Sequence, residues 1–530
     1  MGGINGSSLM ATQQTPASTP LPPLQGGQLV LATVAVALAT FMNVLDTSIA
    51  NVAIPTISGN MGVSVDEGTW VITVFAASNA VSIPLTGWLT QRVGQIRLFV
   101  GAIALFTLAS WLCGIAPSLP VLLFARVVQG AVAGPLIPMS QSILLGSYPK
   151  EKSSMALALW AMTATVGPIA GPSLGGWITD SYSWSWIFYI NIPVGIFAAL
   201  VTWAIYRRRE TPTRKLPIDL VGLVLLVTWV AALQIMLDKG RDLDWFNSSV
   251  IVGLAVVAFV SFTFFMIWEL TEEHPIVDLR LFAQRNFSGG TIAISIAYGL
   301  FFGNLVLLPQ WMQEYLNYRS IDAGLAIAPL GIFALLLSPL VGKLLPKSDA
   351  RIIATIAFIC FAVVFYMRSN YVTQIDTWHL VWPTLLQGIP MALFFVPLTA
   401  IILSGQPPQR IPAAAGLSNF VRVFCGAVGT SIAGTVWNNR TILHHERLTE
   451  VATATNPVFS QQIESMRSLL HLNTGAADAL FDTVLNAQAA MMGLNDIFYA
   501  SAAIFLLIIP LIWITRPAKG GGGADASAAH

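Results

Sequence analysis

Asp46 is an acidic residue that stands well inside an apolar run, Leu29 to Ala53. Placing a charged side chain at membrane depth costs roughly 2.5 to 3.5 kcal/mol on insertion scales, so such residues usually have a function. Burial favours the neutral acid and a nearby cation favours the carboxylate, so both forms are within reach. We therefore expect Asp46 to carry a proton across a membrane. A permanently paired Asp46, or one that caps the Thr47-Ser48 stretch, is the alternative.

Two arginines, Arg126 and Arg422, also lie inside apolar runs. Because arginine stays protonated under cellular conditions, Arg126 is the expected counter-charge that holds Asp46 ionised until a proton or a substrate displaces it. A structural role, in which Arg126 ties two helices together, is the alternative. Arg422 has a comparable position in the second half of the chain, and the sequence assigns it no partner.

A third chemical signal is a ten-residue segment, 167–176, that is unusually rich in Gly and Pro. Its small and helix-bending residues are Gly167, Pro168, Gly171, Pro172, Gly175 and Gly176. Small residues let helix backbones approach closely, and proline removes a backbone donor and bends a helix. The segment therefore predicts a bent, tightly packed helix that can seal one side of a cavity. Ordinary packing between membrane helices is the alternative.

The composition shows what kind of scaffold must position these residues. Of the 530 residues, 55% are hydrophobic and only 10% are charged, whereas about a quarter are charged in soluble proteins. The net charge of +1 excludes the basic footprint of a nucleic-acid-binding protein. Cys113, Cys360 and Cys425 are too widely spaced for a metal knuckle or a redox pair. The chain is thus expected to be an integral membrane protein of many helices.

A membrane-spanning helix needs about 20 mostly apolar residues, and this criterion gives fourteen candidate spans, numbered here in chain order. Their predicted cores are residues 29–53, 68–90, 97–116, 120–145, 154–178, 185–205, 218–238, 248–269, 288–312, 322–345, 350–367, 380–404, 412–436 and 497–515. The uncharged segment 1–28 lacks the basic region of a secretory signal, so we expect a disordered tail there.

Basic residues orient the spans, because Lys and Arg are retained in short cytoplasmic loops. With the N-terminus inside, 17 of the 26 basic residues are cytoplasmic. They are Arg92, Arg97, Lys150, Lys152, Arg207, Arg208, Arg209, Arg214, Lys215, Arg280, Arg285, Lys343, Lys347, Arg351, Arg410, Arg516 and Lys519. Short outer loops hold only Lys239, Arg241, Arg319 and Arg368. This bias predicts that both termini are cytoplasmic.

Two sequence echoes indicate an internal duplication, a common feature of transporters. The segment Pro84–Leu89 is repeated at Pro339–Leu344, and Gln129-Gly130 is repeated at Gln387-Gly388, both at an offset of about 256 residues. The expected organisation has five successive parts, one of which contains a long outer loop. They are a cytoplasmic tail at 1–28, a six-helix bundle at 29–205, two inserted helices with a basic linker at 206–287, a second six-helix bundle at 288–515, an outer loop within that bundle at 437–496, and a flexible cytoplasmic tail at 516–530 with its Gly520–Gly523 run.

Four motifs resemble those of the major facilitator superfamily, and specifically its fourteen-span drug/proton antiporters of the EmrB/QacA type. They are Leu45–Pro55 in span 1, Gly87 to Arg97 after span 2, Arg126 to Gly134 in span 4 and Gly167–Gly176 in span 5. The similarity covers nearly the whole chain. It implies an all-α integral membrane protein with the major facilitator fold, in which two six-helix bundles and two inserted helices make 14 transmembrane helices.

The loop motif after span 2 departs from the family pattern at one position. The family usually has an Asp where this chain has Gln91, so a charge relay through that position is not expected. The resemblance still implies a gating role for Gly87, Arg92 and Gly94. Basic residues that merely fix the topology of the loop are the alternative.

The resemblance also implies partners. EmrB-like exporters work with a periplasmic EmrA-like adaptor and a TolC-like outer-membrane channel, so we expect the chain in the bacterial inner membrane. The outer stretch 437–496 contains two segments with helical spacing and an apolar face, Gln461–Leu470 and Ala476–Met492. That face either docks the adaptor or packs as a cap on its own domain. His444 and His445 have no further ligands nearby in sequence, so no metal site is predicted.

Substrate recognition is expected in a large apolar and aromatic pocket with few polar anchors. The candidates on central helices are Phe75, Asn79, Gln129, Tyr298, Asn304, Gln310, Phe394 and Phe395. Simple packing is the alternative for each of them, because apolar and aromatic residues fill every membrane bundle.

The energy source is expected to be the proton gradient, with no cofactor. The chain has no GxxxxGK segment followed by Ser or Thr, which disfavours an ATP-driven pump. It also has neither HExxH nor TVGYG, which disfavours a metalloprotease and a potassium channel. The sequence thus favours a proton-coupled exporter of hydrophobic drugs and not an enzyme. A specialised exporter of fatty acids or of another single metabolite class is the alternative.

Overall fold

A computed structural model describes residues 23–214, 217–451 and 474–517, together with 461, 463–465, 467 and 468. Within these residues the structure is helical and contains no strand. In the order of the predicted spans the helices are Gly26–Met61; Trp70–Ser82 and Thr86–Val93; Gln95–Gly114; Leu119–Ala133 and Leu136–Ser147; Ser153–Ser181; Trp186–Tyr189 and Asn191–Tyr206; Leu220–Lys239; Ser249–Thr271; Arg285–Tyr315; Ser320–Ile327 and Leu330–Leu344; Ala350–Arg368; Thr377–Leu403; Ile411–Val451; Thr474–Leu507 and Ile509–Ile514. The predicted tails largely lie outside the described residues.

The described helices confirm a multi-span membrane protein. Twelve are long and apolar enough to cross a membrane, or thirteen if the bent pair at span 2 is one span. The predicted count of fourteen is therefore not reached by this criterion. The helix Ser153–Ser181, which occupies the predicted span 5, has 29 residues and stands outside that count.

Proline and glycine explain why several spans are broken. The two helices of span 2 meet at 62° around Pro84, because proline cannot donate to the preceding turn. Span 1 ends where Gly62 takes a left-handed conformation with φ +67° and its N–H bonds the carbonyls of Gly59 and Ser58. Glycine adopts that conformation without a steric cost. Sequence chemistry thus sets the ends and bends of these helices.

Equivalent glycines show that the two bundles are built alike. A Cβ on Gly130 of span 4 would lie 2.5 Å from the carbonyl oxygen of Phe75 in span 2, and a Cβ on Gly388 of span 12 would meet the carbonyl oxygen of Leu330 in span 10. Since these glycines are the two copies of one echo, Gln129-Gly130 and Gln387-Gly388, the repeat in sequence corresponds to a repeat in packing. Each places a backbone against a backbone where no other residue fits.

Of the inserted pair, span 7 packs against both bundles, and span 8 packs on span 7. The Trp229 ring of span 7 lies 5.8 Å and 5.7 Å from the rings of Phe420 and Phe424 in span 13. On the other side, Lys239 Nζ donates to Thr69 Oγ1 beside span 2 at 2.8 Å. Span 8 faces outward, where Phe259 is 72% exposed. An apolar side chain so exposed fits a lipid-facing surface.

Much of the predicted outer loop 437–496 is helical in the structure, because it continues the flanking helices. The span 13 helix runs unbroken to Val451, and the span 14 helix already begins at Thr474. The two extensions form a helical hairpin, with Trp437 Nε1 donating to the Ala490 carbonyl at 2.8 Å. Helical structure over Ala476–Met492 is thereby confirmed. In the predicted segment Gln461–Leu470, residues 461, 463–465, 467 and 468 are described, and all of them are helical.

Candidate proton-coupling site and central cavity

Asp46 and Arg126 form a buried ion pair in the first bundle, as predicted. Arg126 Nη1 donates to Asp46 Oδ2 at 2.5 Å, and both residues are 0% exposed. An unpaired charge in this environment would be strongly destabilising, and two opposite charges in contact offset most of that cost. The pair therefore links span 1 to span 4 in the buried interior of the first bundle.

Three polar side chains complete this charge cluster. Gln129 Nε2 and Asn191 Nδ2 donate to Asp46 Oδ1 at 3.1 Å and 3.0 Å, and both also reach Ser110 Oγ, at 2.8 Å and 3.4 Å. Arg126 Nη1 also donates to Gln129 Oε1 at 2.8 Å. Donors to a carboxylate favour its ionised form. The carboxylate of Asp46 thus accepts hydrogen bonds from two other helices, spans 4 and 6, and Ser110 of span 3 supports the two amide donors.

Aromatic rings seal the cluster. The Arg126 guanidinium lies 4.1 Å from the centre of the Phe75 ring and 5.5 Å from that of Phe188, and its Nε donates to the Val71 carbonyl at 3.1 Å. A ring face attracts a cation and excludes water. Phe75, a substrate candidate in the sequence, is here part of the wall around Arg126.

Sequence reasoning did not identify Asn191 and Ser110 as members of this cluster. Asn191 opens the span 6 helix and is 2% exposed, while Ser110 is fully buried in span 3. The sequence feature that could have identified them is a polar residue within an apolar run. Such residues are common in membrane bundles as interhelical hydrogen-bonding groups, so only the fold shows that these two meet Asp46. Gln129 was singled out for substrate binding, but its amide serves the ion pair.

Span 5 packs tightly on the opposite face of span 1, as the Gly and Pro content predicts. A Cβ on Gly167 would lie 2.6 Å from Val44 Cγ1, one on Gly175 would lie 2.8 Å from Ile49 Cγ1, and one on Gly171 would meet the Ser48 side chain. These glycines recur every four residues and form one helix face. Gly176 is looser, since its nearest neighbour, Val52 Cγ1, is 3.9 Å away. Pro168 accepts a hydrogen bond from Ser48 Oγ at 3.2 Å, and the Pro172 side chain lies outside the described residues.

The loop after span 2 is organised by a residue that the sequence did not suggest. Glu210, after span 6, accepts the backbone N–H groups of Ile96 and Arg97 at 3.0 Å and 2.9 Å. Those groups open the span 3 helix, where the helix dipole favours an anion. Gly94 has φ +97°, and a Cβ there would lie 2.6 Å from the Glu210 carboxylate. Position 94 therefore requires glycine for two reasons, the positive φ of its backbone and the close approach of the Glu210 carboxylate.

Other residues of the same loop have modest roles. Gln91, which replaces the Asp usual in the family, accepts the Arg214 N–H through its backbone carbonyl at 2.8 Å. The Arg92 guanidinium lies 5.2 Å from the centre of the Trp88 ring. Gln95 N donates to Thr211 Oγ1 at 3.0 Å. The loop after span 2, from Gly87 to Arg97, and the segment after span 6, residues 207–214, thus form one unit. We name this unit the basic end.

The two bundles touch at the basic end. A Cβ on Gly87 of span 2 would lie 2.6 Å from Ala413 Cβ at the start of span 13. In the equivalent place of the second bundle, a Cβ on Gly342 of span 10 would lie 3.0 Å from Ala158 Cβ in span 5. Both contacts join one bundle to the other, and glycine is needed for so close an approach. This end of the molecule is therefore closed in the present conformation.

A small central cavity lies between the bundles. Its volume is about 40 Å³, which is far smaller than the few hundred cubic ångströms that a drug-sized ligand needs. Its walls include Val44 of span 1, Pro168 of span 5, and Tyr298, Phe395 and Arg422 of the second bundle. The structure therefore represents a contracted state of the cavity.

Of the eight substrate candidates, Tyr298 and Phe395 line this cavity and the other six do not. Asn79 is packed behind Gly130 of span 4, and Asn304 Nδ2 donates to Ser501 Oγ of span 14 at 2.9 Å. Phe394 lies in an aromatic cluster with Phe361, 5.9 Å between ring centres. Gln310 is half-buried near the end of span 9. Arg422, which had no partner in the sequence, is the added cavity residue.

The family model of the Major Facilitator Superfamily matches residues 36–430. The Multidrug export protein EmrB of Escherichia coli K12 is 50% identical over 96% of this chain and 99% of its own. The Fatty acid resistance protein FarB of Neisseria gonorrhoeae is 47% identical over 95% of this chain and 99% of its own.

A solved structure agrees on the fold. The human organic anion transporter MFSD10 superposes with a TM-score of 0.57 at 10% identity, covering 92% of this chain and all of that one. At such low identity the likeness concerns the fold alone. Among the described residues no group of His, Cys, Asp or Glu could hold a metal ion. The chain belongs to the major facilitator superfamily and, within it, to the EmrB-like multidrug exporters.

Proposed function

We propose that this exporter is a proton-coupled antiporter that moves hydrophobic toxic compounds out across the bacterial inner membrane by alternating access. The observation that carries the proposal is the fully buried pair of Asp46 and Arg126. A buried carboxylate that can be neutralised by one proton gives the protein two states with different helix contacts.

Protonation of Asp46 would change the contacts of span 1. A neutral Asp46 no longer attracts Arg126, which keeps the Val71 carbonyl and Gln129 Oε1 as acceptors. Span 1 would then be held less firmly to span 4. Since Val44, two residues before Asp46, lines the central cavity, a shift of span 1 changes the proton site and the cavity together.

Burial also protects against a proton leak. Asp46 is 0% exposed in a conformation whose basic end is closed. Proton exchange with water therefore requires a conformation in which the bundles have moved. Coupling follows, because the same movement that exposes the carboxylate also opens the cavity.

The energy of one proton suffices for useful export. A charge that crosses about 100 mV supplies roughly 2.3 kcal/mol, and each tenfold gradient costs about 1.4 kcal/mol. One proton per neutral substrate would thus sustain a gradient of roughly 40-fold.

The orientation proposed from the sequence places the basic end and both termini in the cytoplasm. Lys and Arg concentrate in the connections at that end, and the positive-inside rule keeps such segments in the cytoplasm. The helical hairpin formed by the extensions of spans 13 and 14 then stands on the periplasmic side. We propose it as the docking element for an EmrA-like adaptor, which in turn joins a TolC-like channel in a tripartite pump.

The test of antiport is efflux from proteoliposomes with an imposed pH gradient. We expect wild-type transport to follow the gradient and Asp46→Asn to abolish that dependence, because Asn cannot exchange a proton. Asp322→Asn is the matched control, since the Asp322 side chain is 38% exposed and, among the described residues, forms its ion pair with Arg319. Transport independent of the gradient would refute antiport, and gradient-driven transport in Asp46→Asn would refute the role of Asp46.

A second candidate is export of fatty acids or another single metabolite class. It is favoured by the 47% identity to a protein named for fatty acid resistance. A panel of fatty acids, weak acids, uncouplers and cationic dyes, tested on an exporter-deficient host, separates the two. Protection against several chemically unrelated compounds supports a multidrug exporter, and protection against one class supports the specialised exporter.

A further inference from the structure

The most unusual side chain outside the charge cluster is Arg422. It is only 5% exposed, lies in span 13 and forms part of the wall of the central cavity. In this cavity, residues of spans 1, 4 and 5 face those of spans 9, 12 and 13 around an open volume. Arg422 thus places a permanent positive charge between the two bundles.

Arg422 has no acidic partner among the described residues. Its Nη2 donates to Asn419 Oδ1, and its Nε is buried without a hydrogen-bond acceptor. Arg126, by contrast, has a carboxylate, an amide oxygen and a carbonyl as acceptors. A buried cation that the protein does not neutralise is costly, and an anion that enters from outside would relieve that cost.

The walls around Arg422 are aromatic. Its guanidinium lies 5.1 Å from the ring centre of Tyr298, 5.3 Å from that of Phe395 and 5.7 Å from that of Trp160. Ring faces partly compensate a cation and at the same time offer apolar surface to a ligand. The site therefore combines one positive group with apolar walls.

A second buried arginine provides a contrast. Arg368 also has an unpartnered Nε, donates to Thr384 Oγ1 at 2.9 Å and lies between the rings of Phe365 and Phe498. It is enclosed within the second bundle and does not line the central cavity. Burial of an arginine therefore does not by itself indicate a binding site for an anion. Position on the cavity is what distinguishes Arg422.

We infer that Arg422 binds the anionic group of a substrate, and that the substrates recognised here are hydrophobic monoanions with a carboxylate and an apolar body. The inference rests on the proposed export function, because it assigns part of the same transport route. Arginine suits this task, since its planar fork of donors matches a carboxylate. The cavity of about 40 Å³ must widen before such a ligand enters.

The test is equilibrium binding to the purified full-length protein in nanodiscs, measured by calorimetry with empty nanodiscs as background. The probes are 2-naphthoate and 2-naphthamide, which have similar size and differ in charge. We expect the wild type to bind the anion at least about tenfold more tightly than the amide, a preference of about 1.4 kcal/mol. Equal affinities would overturn the inference.

Variants locate the preference. Arg422→Gln is expected to weaken naphthoate binding about tenfold and leave naphthamide binding unchanged, whereas Arg422→Lys keeps most of the preference. Arg319→Gln is the matched control, because Arg319 is exposed with a side chain 80% accessible. Unchanged naphthoate binding in Arg422→Gln, or an equal loss for both probes, would overturn the inference.

A near-isosteric variant covers the case in which Arg422→Gln does not fold. Asn419→Asp places a carboxylate where Arg422 already donates, so the internal charge should replace the ligand and abolish the preference for naphthoate. A full preference in that variant would contradict the inference. Since binding needs no proton gradient, these outcomes are distinguishable from a failure of the antiport experiment.

Discussion

Asn191 Nδ2 lies 3.0 Å from Oδ1 of Asp46, while Arg126 holds the other carboxylate oxygen. One carboxylate oxygen is thus tied to span 6 through Asn191, and the other is tied to span 4 through Arg126. Gln129 adds a second donor to Oδ1. A proton arriving at Asp46 therefore alters the contacts among three helices at once, which makes the carboxylate a suitable trigger for movement of the first bundle.

Asn191→Ala tests this contribution. Removing one donor to a charged acceptor costs about 1.5 to 3 kcal/mol, so we expect gradient-driven transport to fall by about tenfold or more without vanishing, because Arg126 still pairs with Asp46. Asn191→Asp should be more severe, since it places a second carboxylate beside the first. Initial transport rates in proteoliposomes measure both effects. Wild-type rates in Asn191→Asp would contradict this arrangement.

Arg126 is expected to tolerate neither loss nor simple replacement of its charge. It donates in separate directions to Asp46, Gln129 and the Val71 carbonyl, which the compact ammonium of lysine does not reproduce. Arg126→Gln leaves a buried carboxylate unpaired and should destabilise the protein by about 3 to 5 kcal/mol. Thermal unfolding in detergent measures this loss. The double variant with Asp46→Asn should recover stability but not coupling.

Gly171 is expected to reject any side chain. A Cβ there would meet the Ser48 side chain, and the Ile49 backbone nitrogen is 3.2 Å away, so Gly171→Val should force spans 1 and 5 apart. Overpacking of this kind costs about 1 to 3 kcal/mol, and we expect transport to be lost. Gly176→Ala is the control, because its Cβ would meet Val52 at an ordinary 3.9 Å. Similar transport by both variants would disprove the close-packing role.

Glu210 is expected to hold the basic end together. Glu210→Ala removes the acceptor for the first N–H groups of span 3, and loss of such a cap costs about 1 kcal/mol. We predict a lower unfolding temperature and slower transport, because the loop that contacts the second bundle is no longer anchored. Glu151→Ala provides a comparison on an exposed acidic residue of the next connection. An unaltered unfolding temperature in Glu210→Ala would rule out the anchor.

Asp349 gives a prediction about pH. It caps the span 11 helix by accepting the Arg351 N–H at 2.9 Å, and the Arg351 side chain lowers the pKa of Asp349 below its ordinary value of 3.8. A lowered folded-state pKa means that the stabilisation is present above the unfolded pKa and is lost as pH falls through the folded value. The wild type should therefore lose more stability than Asp349→Asn between pH 5 and about pH 3. Unfolding temperatures across that range decide the matter.

Much of this protein was predictable from local sequence. Hydrophobic run lengths and charge placement predict the helices, because a bilayer requires long apolar segments whose backbone groups bond within the helix. Asp46 and Arg126 were identified as a pair from their apolar surroundings, and the glycines of 167–176 correctly predicted close packing. The repeats correctly indicated two similar bundles.

What the sequence could not determine depends on contacts between distant helices. Asn191 joins Asp46 across 145 positions, and Glu210 reaches Arg97 across 113, so no local pattern reveals either contact. The helices of spans 13 and 14 continue past the predicted apolar segments and pack on each other, whereas hydropathy identifies only the apolar part. Arg422 faces the cavity for the same reason: a side chain's direction around a helix becomes meaningful only when the neighbouring helices are in place. Sequence alone determined the elements and the charges that they carry, and tertiary packing decided which of those charges are paired and which of them face the central cavity.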